Sequence, residues 1–407
     1  MNDFTARNRS KAHIQESISK NSKTLVIFYR LLHPQNPGEI PMANLKHMNN
    51  EMAVSPVVAT LVLIVVAVIG AVAVGTIMGT FSTSVSKQAN TGQVSAASQS
   101  EILIAGSTTM YPASVKLAAD YETQHPGIKV TVQQGGSGEG VIAAAMGIAD
   151  IGSASSATAV SSAQTANANS PNAAAYANLV QTQIGGSAVI FITNTNGGFA
   201  GPVDAVDLNQ AYGSAAAGNG ATAAATNGTD VIPAGTIMFQ RSDVSGTEQT
   251  VAAFVGAPYS TANALDASNA LGENGNPAML AAVQAEPATA KSIGFVDFGI
   301  GTNGGVPATG ITVLPVTVNG VTYTLPATSA AKTSILDALK DQARGNAQDT
   351  TGGSAANYPQ GLARPLFYIT EGTPNSVIQN FIQYSMSPTA AASDIDPTGM
   401  FGITEFA

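Results

Sequence analysis

Four times between residues 101 and 255 the chain repeats one local design: a short apolar or alternating strand, a turn of glycines and hydroxyls, then a helical stretch. Strands that feed helices in this way pack as layered α/β units, so the repetition fixes the fold class before any single residue is considered. Each turn also exposes free N–H groups at the start of a helix, where the dipole is positive and anions are favoured.

The first junction is Glu101-Ile-Leu-Ile-Ala-Gly-Ser-Thr-Thr-Met-Tyr-Pro. Ile102 to Ala105 reads as a buried strand that stops at Gly106. Ser107, Thr108 and Thr109 follow, and Pro112 opens a helix to about Gln124 with Val115, Ala118, Ala119 and Tyr121 as its apolar stripe. For this junction alone an ordinary hydroxyl cap is the better account. The second junction, Val130-Thr-Val-Gln-Gln-Gly-Gly-Ser-Gly-Glu-Gly, presents Ser137 and an Ala-rich helix from about Glu139. No Gly-Lys-Ser/Thr follows, so it is not a phosphate-cradling Walker loop, and the acidic partner of a dinucleotide fingerprint is missing. The third, Ala149-Asp-Ile-Gly-Ser-Ala-Ser-Ser-Ala-Thr, ends a short strand in Ser155 and Ser156; Asp150 reads as a turn-fixing residue.

The fourth junction is the most informative. In Ile237-Met-Phe-Gln-Arg-Ser-Asp-Val-Ser-Gly-Thr-Glu-Gln-Thr a strand delivers Arg241, and a tight turn presents Ser245, Gly246 and Thr247 before a helix carrying Val251, Phe254 and Val255. A guanidinium suits bidentate pairing with an oxyanion. The competing account is a surface ion pair between Arg241 and Asp243, which ranks lower because of the adjoining hydroxyl-Gly-hydroxyl turn. If the four junctions converge, they form a dehydrated cage for one small anion, neutralised mainly by dipoles.

Charge excludes other classes. Seven of the 16 Lys/Arg but only four of the 25 Asp/Glu fall in the first 52 residues, so the remainder has a formal balance of −12. So acidic a surface argues against nucleic acid, whose phosphates need many cations. Cysteine is absent, which removes disulfides, thiolate metal sites, a cysteine nucleophile and an N-terminal lipidated Cys. Of four histidines only His125 lies beyond residue 81, so neither a Ser-His pair nor a His-x-x-x-His zinc site can be assembled there. No enzyme activity, metal or cofactor is expected.

Val54 to Phe81 is free of charge over 28 residues and dominated by Val, Ala, Ile and Leu. This exceeds the roughly 20 residues a membrane-crossing helix needs. Basic residues precede it (Lys11, Lys20, Lys23, Arg30, Lys46), which places the N-terminus in the cytoplasm and the rest outside the cell membrane. Glu51-Met-Ala-Val-Ser-Pro-Val-Val-Ala-Thr-Leu resembles the N-terminal segment of archaeal type IV pilins. The resemblance implies leader removal between about Glu51 and Val54, an archaeal cell surface, and self-assembly through the helix, where Gly75 and Gly79 form a small-xxx-small pair. Met42 and Met48 offer alternative starts. Residues 82–100 read as a polar linker, and 157–176 and 213–228 as low-complexity loops, the latter with an Asn227-Gly-Thr acceptor sequence.

Together, Gly106-Ser-Thr-Thr-Met-Tyr-Pro, Gly135-Gly-Ser-Gly-Glu-Gly, Asp150-Ile-Gly-Ser-Ala-Ser-Ser and Arg241-Ser-Asp-Val-Ser-Gly-Thr resemble, in order, the ligand loops of the phosphate-binding protein of the phosphate ABC transporter. The likeness spans residues 100 to 385. It implies a two-lobed periplasmic-binding (type II) fold with two crossovers, closing on ligand by a hinge. The implied organisation is a leader over 1–53, a membrane helix over 54–81, a linker over 82–100, one lobe from 101–184 and 306–407, and a second from 185–305. Ser292-Ile-Gly-Phe-Val-Asp-Phe-Gly resembles the segment that returns from the second lobe. The implied ligand is phosphate or a similar small oxyanion, delivered to an ABC permease in the membrane. Its implied contacts are Ser107, Thr108, Thr109, Ser137, Ser155, Ser156, Arg241, Ser245, Gly246 and Thr247. One departure concerns selectivity. Many members carry Asp or Arg after the third-loop serine, where this chain has Ala157, so the carboxylate that would accept a phosphate proton is missing. The alternative readings are a pilin-like filament or adhesin subunit on a binding-protein fold, and a receptor for sulfate, molybdate or tungstate.

Overall fold

The computed structural model describes residues 100–197, 199–212, 232–233, 235–256, 265 and 270–407, which fall in one compact unit, Ser95–Ala407. The expected leader, membrane helix, Gly75–Gly79 pair, linker up to residue 99, and Asn227 lie outside the described residues. Among the described residues no helix is long and apolar enough to cross a membrane.

In chain order the first elements are β1 (Ser100–Gly106), α1 (Tyr111–Gln124), β2 (Ile128–Gln134), α2 (Ser137–Ala145), β3 (Ile151–Ala154) and β4 (Leu179–Asn194). Beyond them come β5 (Ile237–Arg241), α3 (Gly246–Val255), β6 (Leu271–Glu273), α4 (Gly275–Ala285), β7 (Ser292–Asp297) and β8 (Ala363–Glu371). They form one mixed sheet in the order β2-β1-β3-β8-β4-β7-β5-β6. β1 pairs in parallel with β2 and β3, and β5 with β6 and β7. Between these parallel groups β4 and β8 run antiparallel to each other. β4 spans both groups: Leu179–Ala188 pairs with β8, and Val189–Ile192 pairs with β7. Two faces of apolar neighbours explain why β4 is buried without a break from Ile184 to Asn194. The segment Ile311–Val313 adds to the far end of β4, and Val316–Val318 pairs with Val203–Asp204.

Packing follows the sequence pattern with three differences. α1 buries Ala113, Ser114, Leu117, Ala118 and Tyr121, whereas Val115 is exposed. Buried positions at i, i+3/i+4 and i+7/i+8 are what one helical face requires; the stripe expected through Val115 is rotated off that face. Leu117 and Tyr121 pack with Ile102, Ile104, Ile151 and Phe381 on one side of the sheet, while Val141 and Ala144 of α2 pack with Ala154 and Ile369 on the other. α2 begins at Ser137 rather than near Glu139. The stretch expected as a loop over 157–176 holds two helices, Ala159–Asn167 and Ala173–Ala177, because burial of Ala159, Val160 and Tyr176 against α2's side of the sheet offsets their weak helical pattern.

Candidate functional site

β1, β2, β3 and β5 all end at one place, and each end passes into a turn whose residues meet those of the others. Gly106 turns the chain at φ +135°, a conformation that disfavours any side chain, and a Cβ there would stand 2.4 Å from the Ser153 carbonyl oxygen. Its own carbonyl accepts from the amides of Gly135 and Gly136 (2.7 and 3.1 Å), which ties the first turn to the second. The Gly138 amide donates to the Val244 carbonyl (2.9 Å), tying the second to the fourth. The Ser155 amide donates to Ser137 Oγ (3.1 Å), joining second and third. Thr109 and Thr247 face each other, their hydroxyls 3.3 Å apart, which closes the ring between first and fourth. Gly246 fills the centre: a Cβ on it would come within 2.6 Å of Ser137 Oγ and 2.8 Å of Ser155 Oγ. α1, α2 and α3 each begin at this cluster, so their positive dipole ends lie around it.

The ten sequence-predicted residues are all buried, apart from Gly246's lack of a side chain, and their side chains divide into two groups. Thr108, Thr109, Ser137, Ser155, Arg241 and Thr247 touch one another or a shared partner across the cluster, with Gly246 between them. Ser107, Ser156 and Ser245 are engaged locally. Ser107 Oγ accepts from the Met110 amide (3.4 Å), Ser156 Oγ from the Thr158 amide (3.2 Å), and Ser245 Oγ caps α3 by accepting from the Glu248 amide (3.2 Å). Asp150 does not fix its own turn as expected: its Oδ2 accepts from the Leu103 amide (2.9 Å), 47 residues away, and steadies β1.

The charges differ from the expectation of one guanidinium aided by dipoles. Arg241 does pair with Asp243, through Nε to Oδ1 (2.8 Å) and Nη2 to Oδ2 (2.7 Å), yet this is a buried pair rather than a surface one. Nη2 also reaches Thr108 Oγ1 (3.4 Å), and Nη1 is buried without a protein acceptor. An ion pair and an anion contact are therefore not alternatives for Arg241, since the fork has donors left after Asp243 is served. The Arg241 amide donates to Glu248 Oε1 (2.9 Å). Burial pushes the Glu248 carboxyl up to about 7, against the lowering effect of that hydrogen bond and of the Arg241 charge.

Arg364, Asp297 and Asn276 complete the cluster and escape sequence reasoning. Arg364 lies on β8 at 2 % exposure; Nη2 donates to Asp297 Oδ2 (2.7 Å) and to Thr109 Oγ1 (2.9 Å), and Nη1 to the carbonyl (3.1 Å) and Oγ (3.2 Å) of Ser155. Its Nε is buried without an acceptor. Burial, and secondarily the nearby Arg241, lowers the Arg364 pKa, while Asp297 opposes the shift. Asn276, in the first turn of α4, donates from Nδ2 to Thr109 (2.8 Å) and Thr108 (3.2 Å), and its Oδ1 accepts from Thr247 Oγ1 (3.4 Å). A signal for two of the three exists: Arg364 and Asp297 are lone charges inside apolar runs, Leu362-Ala-Arg-Pro-Leu-Phe and Ile293-Gly-Phe-Val-Asp-Phe. Such charges are seldom buried unpaired. Asn276 carries no comparable signal. Beside the cluster opens a cleft of about 430 Å³ lined by Thr108, Gln134, Gly135, Glu139, Asn274 and Gly275, with Pro277 and Ala278.

A family profile described as a PBP superfamily domain matches residues 91–389. Among solved structures, a Clostridium perfringens protein assigned as a phosphate ABC transporter substrate-binding protein, solved with phosphate bound, aligns with a TM-score of 0.51 at 18% identity. The match covers 74% of this chain and 99% of that one. An ABC-type phosphate transport receptor from Vibrio cholerae aligns at 18% identity over 74% of this chain and 99% of its own, with a TM-score of 0.48. No curated protein sequence matches the chain.

Proposed function

From the premise that this chain belongs to the PBP superfamily and has its mixed α/β, periplasmic-binding-protein-like fold, we propose that it is an extracytoplasmic, membrane-anchored receptor that captures inorganic phosphate for an ABC importer. The observation that carries the proposal is the ring of four strand-to-helix turns closing on one buried set of hydroxyls, with a guanidinium donor left over on Arg241. A buried charged donor without an acceptor costs roughly 1–3 kcal/mol or more, and an oxyanion in the cage removes that cost. Thr108, Thr109, Ser137, Ser155 and Thr247, the Gly246 amide and Arg241 Nη1 are the proposed contacts. Ser107, Ser156 and Ser245 hold the turns that present them.

Two lobes fit the topology. We take them as 101–184 with 306–407, and 185–305, joined where β4 passes from its pairing with β8 to its pairing with β7. The returning segment remains strapped to the second lobe by the pairing of Ile311–Val313 and Val316–Val318. Loops one to three come from the first lobe and loop four with Asn276 from the second, so an anion between them would favour the closed state by hinge motion. Anchoring through residues 54–81 would keep the receptor at the permease.

Calorimetry on the ligand-stripped, full-length protein with phosphate, arsenate, sulfate and molybdate tests the reading. Micromolar or tighter binding of phosphate and arsenate is the expected result. The absence of binding by every oxyanion overturns it. A second reading, that sulfate or molybdate is the physiological ligand, is favoured by Ala157, where a proton-accepting carboxylate would otherwise follow the third-loop serines.

A further inference from the structure

Resting on that reading, we propose that Glu248 sets the anion affinity of the cage by its protonation: phosphate is held tightly while the carboxyl is neutral and more weakly once it ionises, so that binding draws a proton onto Glu248. Glu248 is the third residue of α3, directly after Thr247, and is 3 % exposed. Its amide donates to Ser245 Oγ (3.2 Å), so the carboxyl and the proposed contacts at Gly246 and Thr247 belong to one turn of helix. An acid at this position commonly reaches back to the N-cap amide. Here Oε1 accepts instead from the Arg241 amide (2.9 Å), on the strand that delivers the guanidinium, and the carboxyl takes a further hydrogen bond from the Leu265 amide. Both partners are backbone amides, and neither is a cation.

The charges around it explain why its ionisation matters. Arg241 pairs with Asp243 and Arg364 with Asp297, so each guanidinium of the cage is balanced by a carboxylate. With Glu248 neutral these groups cancel, and an anion is met by donors and helix ends alone. With Glu248 ionised the cage carries an excess negative charge, and the anion and the carboxylate compete for the positive end of α3. Like charges in a buried site are poorly screened. The other groups facing Glu248 do not offset this. Asp243 adds to the negative field. Tyr212, from the helix Ala205–Tyr212, donates to the Phe239 carbonyl (2.8 Å), and burial holds its phenol well above the usual range, so it stays neutral. Glu139, at the mouth of the cleft, is exposed to solvent. Burial pushes the Glu248 carboxyl up to about 7 against the lowering pull of the two amides and the Arg241 charge, so both of its states are populated at neutral pH. An anion in the cage raises it further, because the coupling is reciprocal. Affinity is therefore highest at low pH and falls as pH rises through the Glu248 ionisation. Glu248 is a positioning residue: it acts on the anion through the first turn of α3 and the end of the Arg241 strand.

Calorimetry of the full-length wild type and of Glu248→Gln with inorganic phosphate, from about pH 5.5 to 9, tests the proposal. The ionisations of phosphate and of the remaining side chains are common to both proteins, so the ratio of their affinities isolates Glu248. Relative to the Gln variant, the wild type should lose about tenfold in affinity across this range, the change produced when binding raises the Glu248 pKa by one unit. Near neutral pH it should also take up more protons per phosphate bound, read from the dependence of the binding heat on the ionisation heat of the buffer. A ratio that stays constant with pH overturns the proposal. Infrared difference spectra of the wild type provide a check that needs no variant: phosphate added at about pH 8 should bring up the band of a protonated carboxyl. Absence of that band overturns the proposal even where Glu248→Gln does not fold. Failure of the wild type to bind phosphate at every pH is the separate outcome that removes the receptor reading underneath.

Discussion

At the scale of single residues, Arg241 and Glu248 do different work from neighbouring positions. Arg241→Lys retains a cation beside Asp243 but loses the planar fork, so it should weaken oxyanion binding by at least about tenfold. Its melting midpoint should fall as well, because the buried pair with Asp243 loses one of its two hydrogen bonds, and a calorimetric titration beside a thermal melt checks both. Asp150→Ala should separate the two effects, lowering stability through loss of the bond to the Leu103 amide while leaving affinity intact. Glu248 predicts a pH dependence. Its carboxyl rises from 4.5 to about 7 in the folded protein because burial disfavours the charge. The folded state then holds a proton that the unfolded chain releases between those values. This contribution to stability is complete below about pH 4.5 and is lost as pH rises through 7, by roughly 3 kcal/mol in all. Glu248→Gln keeps an acceptor for the Arg241 amide and should flatten this slope; a denaturant midpoint that falls with pH as steeply as in the wild type would refute it.

At the scale of elements, the start of α3 carries two demands that can be separated. Ser245 is its N-cap, and Ser245→Ala should cost about 1 kcal/mol of stability with a small effect on binding, because a cap supports the helix start rather than the anion. Gly246→Ala should act the other way round. The added methyl meets Ser137 Oγ and Ser155 at under 3 Å, so the second and third turns must withdraw from the fourth. A loss of oxyanion affinity larger than that of Ser245→Ala is expected, measured by the same titration. The element that most resists reading from sequence is β4. Its buried run from Ile184 to Asn194 suits any central strand or core helix segment by periodicity alone, and only its partners, β8 at one end and β7 at the other, reveal that it threads both parallel groups.

At the scale of the whole molecule, an anion that binds only the folded, closed protein must raise its stability by mass action. Phosphate or sulfate at about one hundred times its dissociation constant should add roughly 2.7 kcal/mol, seen as a rise in the melting midpoint that Arg241→Lys diminishes. The proposed anchor makes a cellular prediction of its own: the chain should fractionate with membranes, and a version beginning at residue 88 should not. The latter found in the membrane fraction would count against residues 54–81 as the tether.

What the amino-acid sequence determined by itself was local and repetitive. Strand, glycine, hydroxyl and helix recur at four places, and Gly106, Gly136 and the Ser245-Gly-Thr turn announce their backbone conformations because few residues other than glycine adopt them and hydroxyls cap helices. The α/β class and seven of the residues now found together at the cluster were legible on those grounds. The remainder was decided by tertiary structure. Arg364 and Asp297 are 67 residues apart in the chain, and neither can be buried without the other, so their meaning exists only once β7 and β8 lie in one sheet. Asn276 became a hub because α4 begins beside Thr108, a contact between residues 168 apart. The pattern of donors and acceptors in the cage is a property of which hydroxyls share partners. Sequence spacing carries no trace of that, because a hydrogen bond depends on distances of a few ångströms that only the folded chain sets.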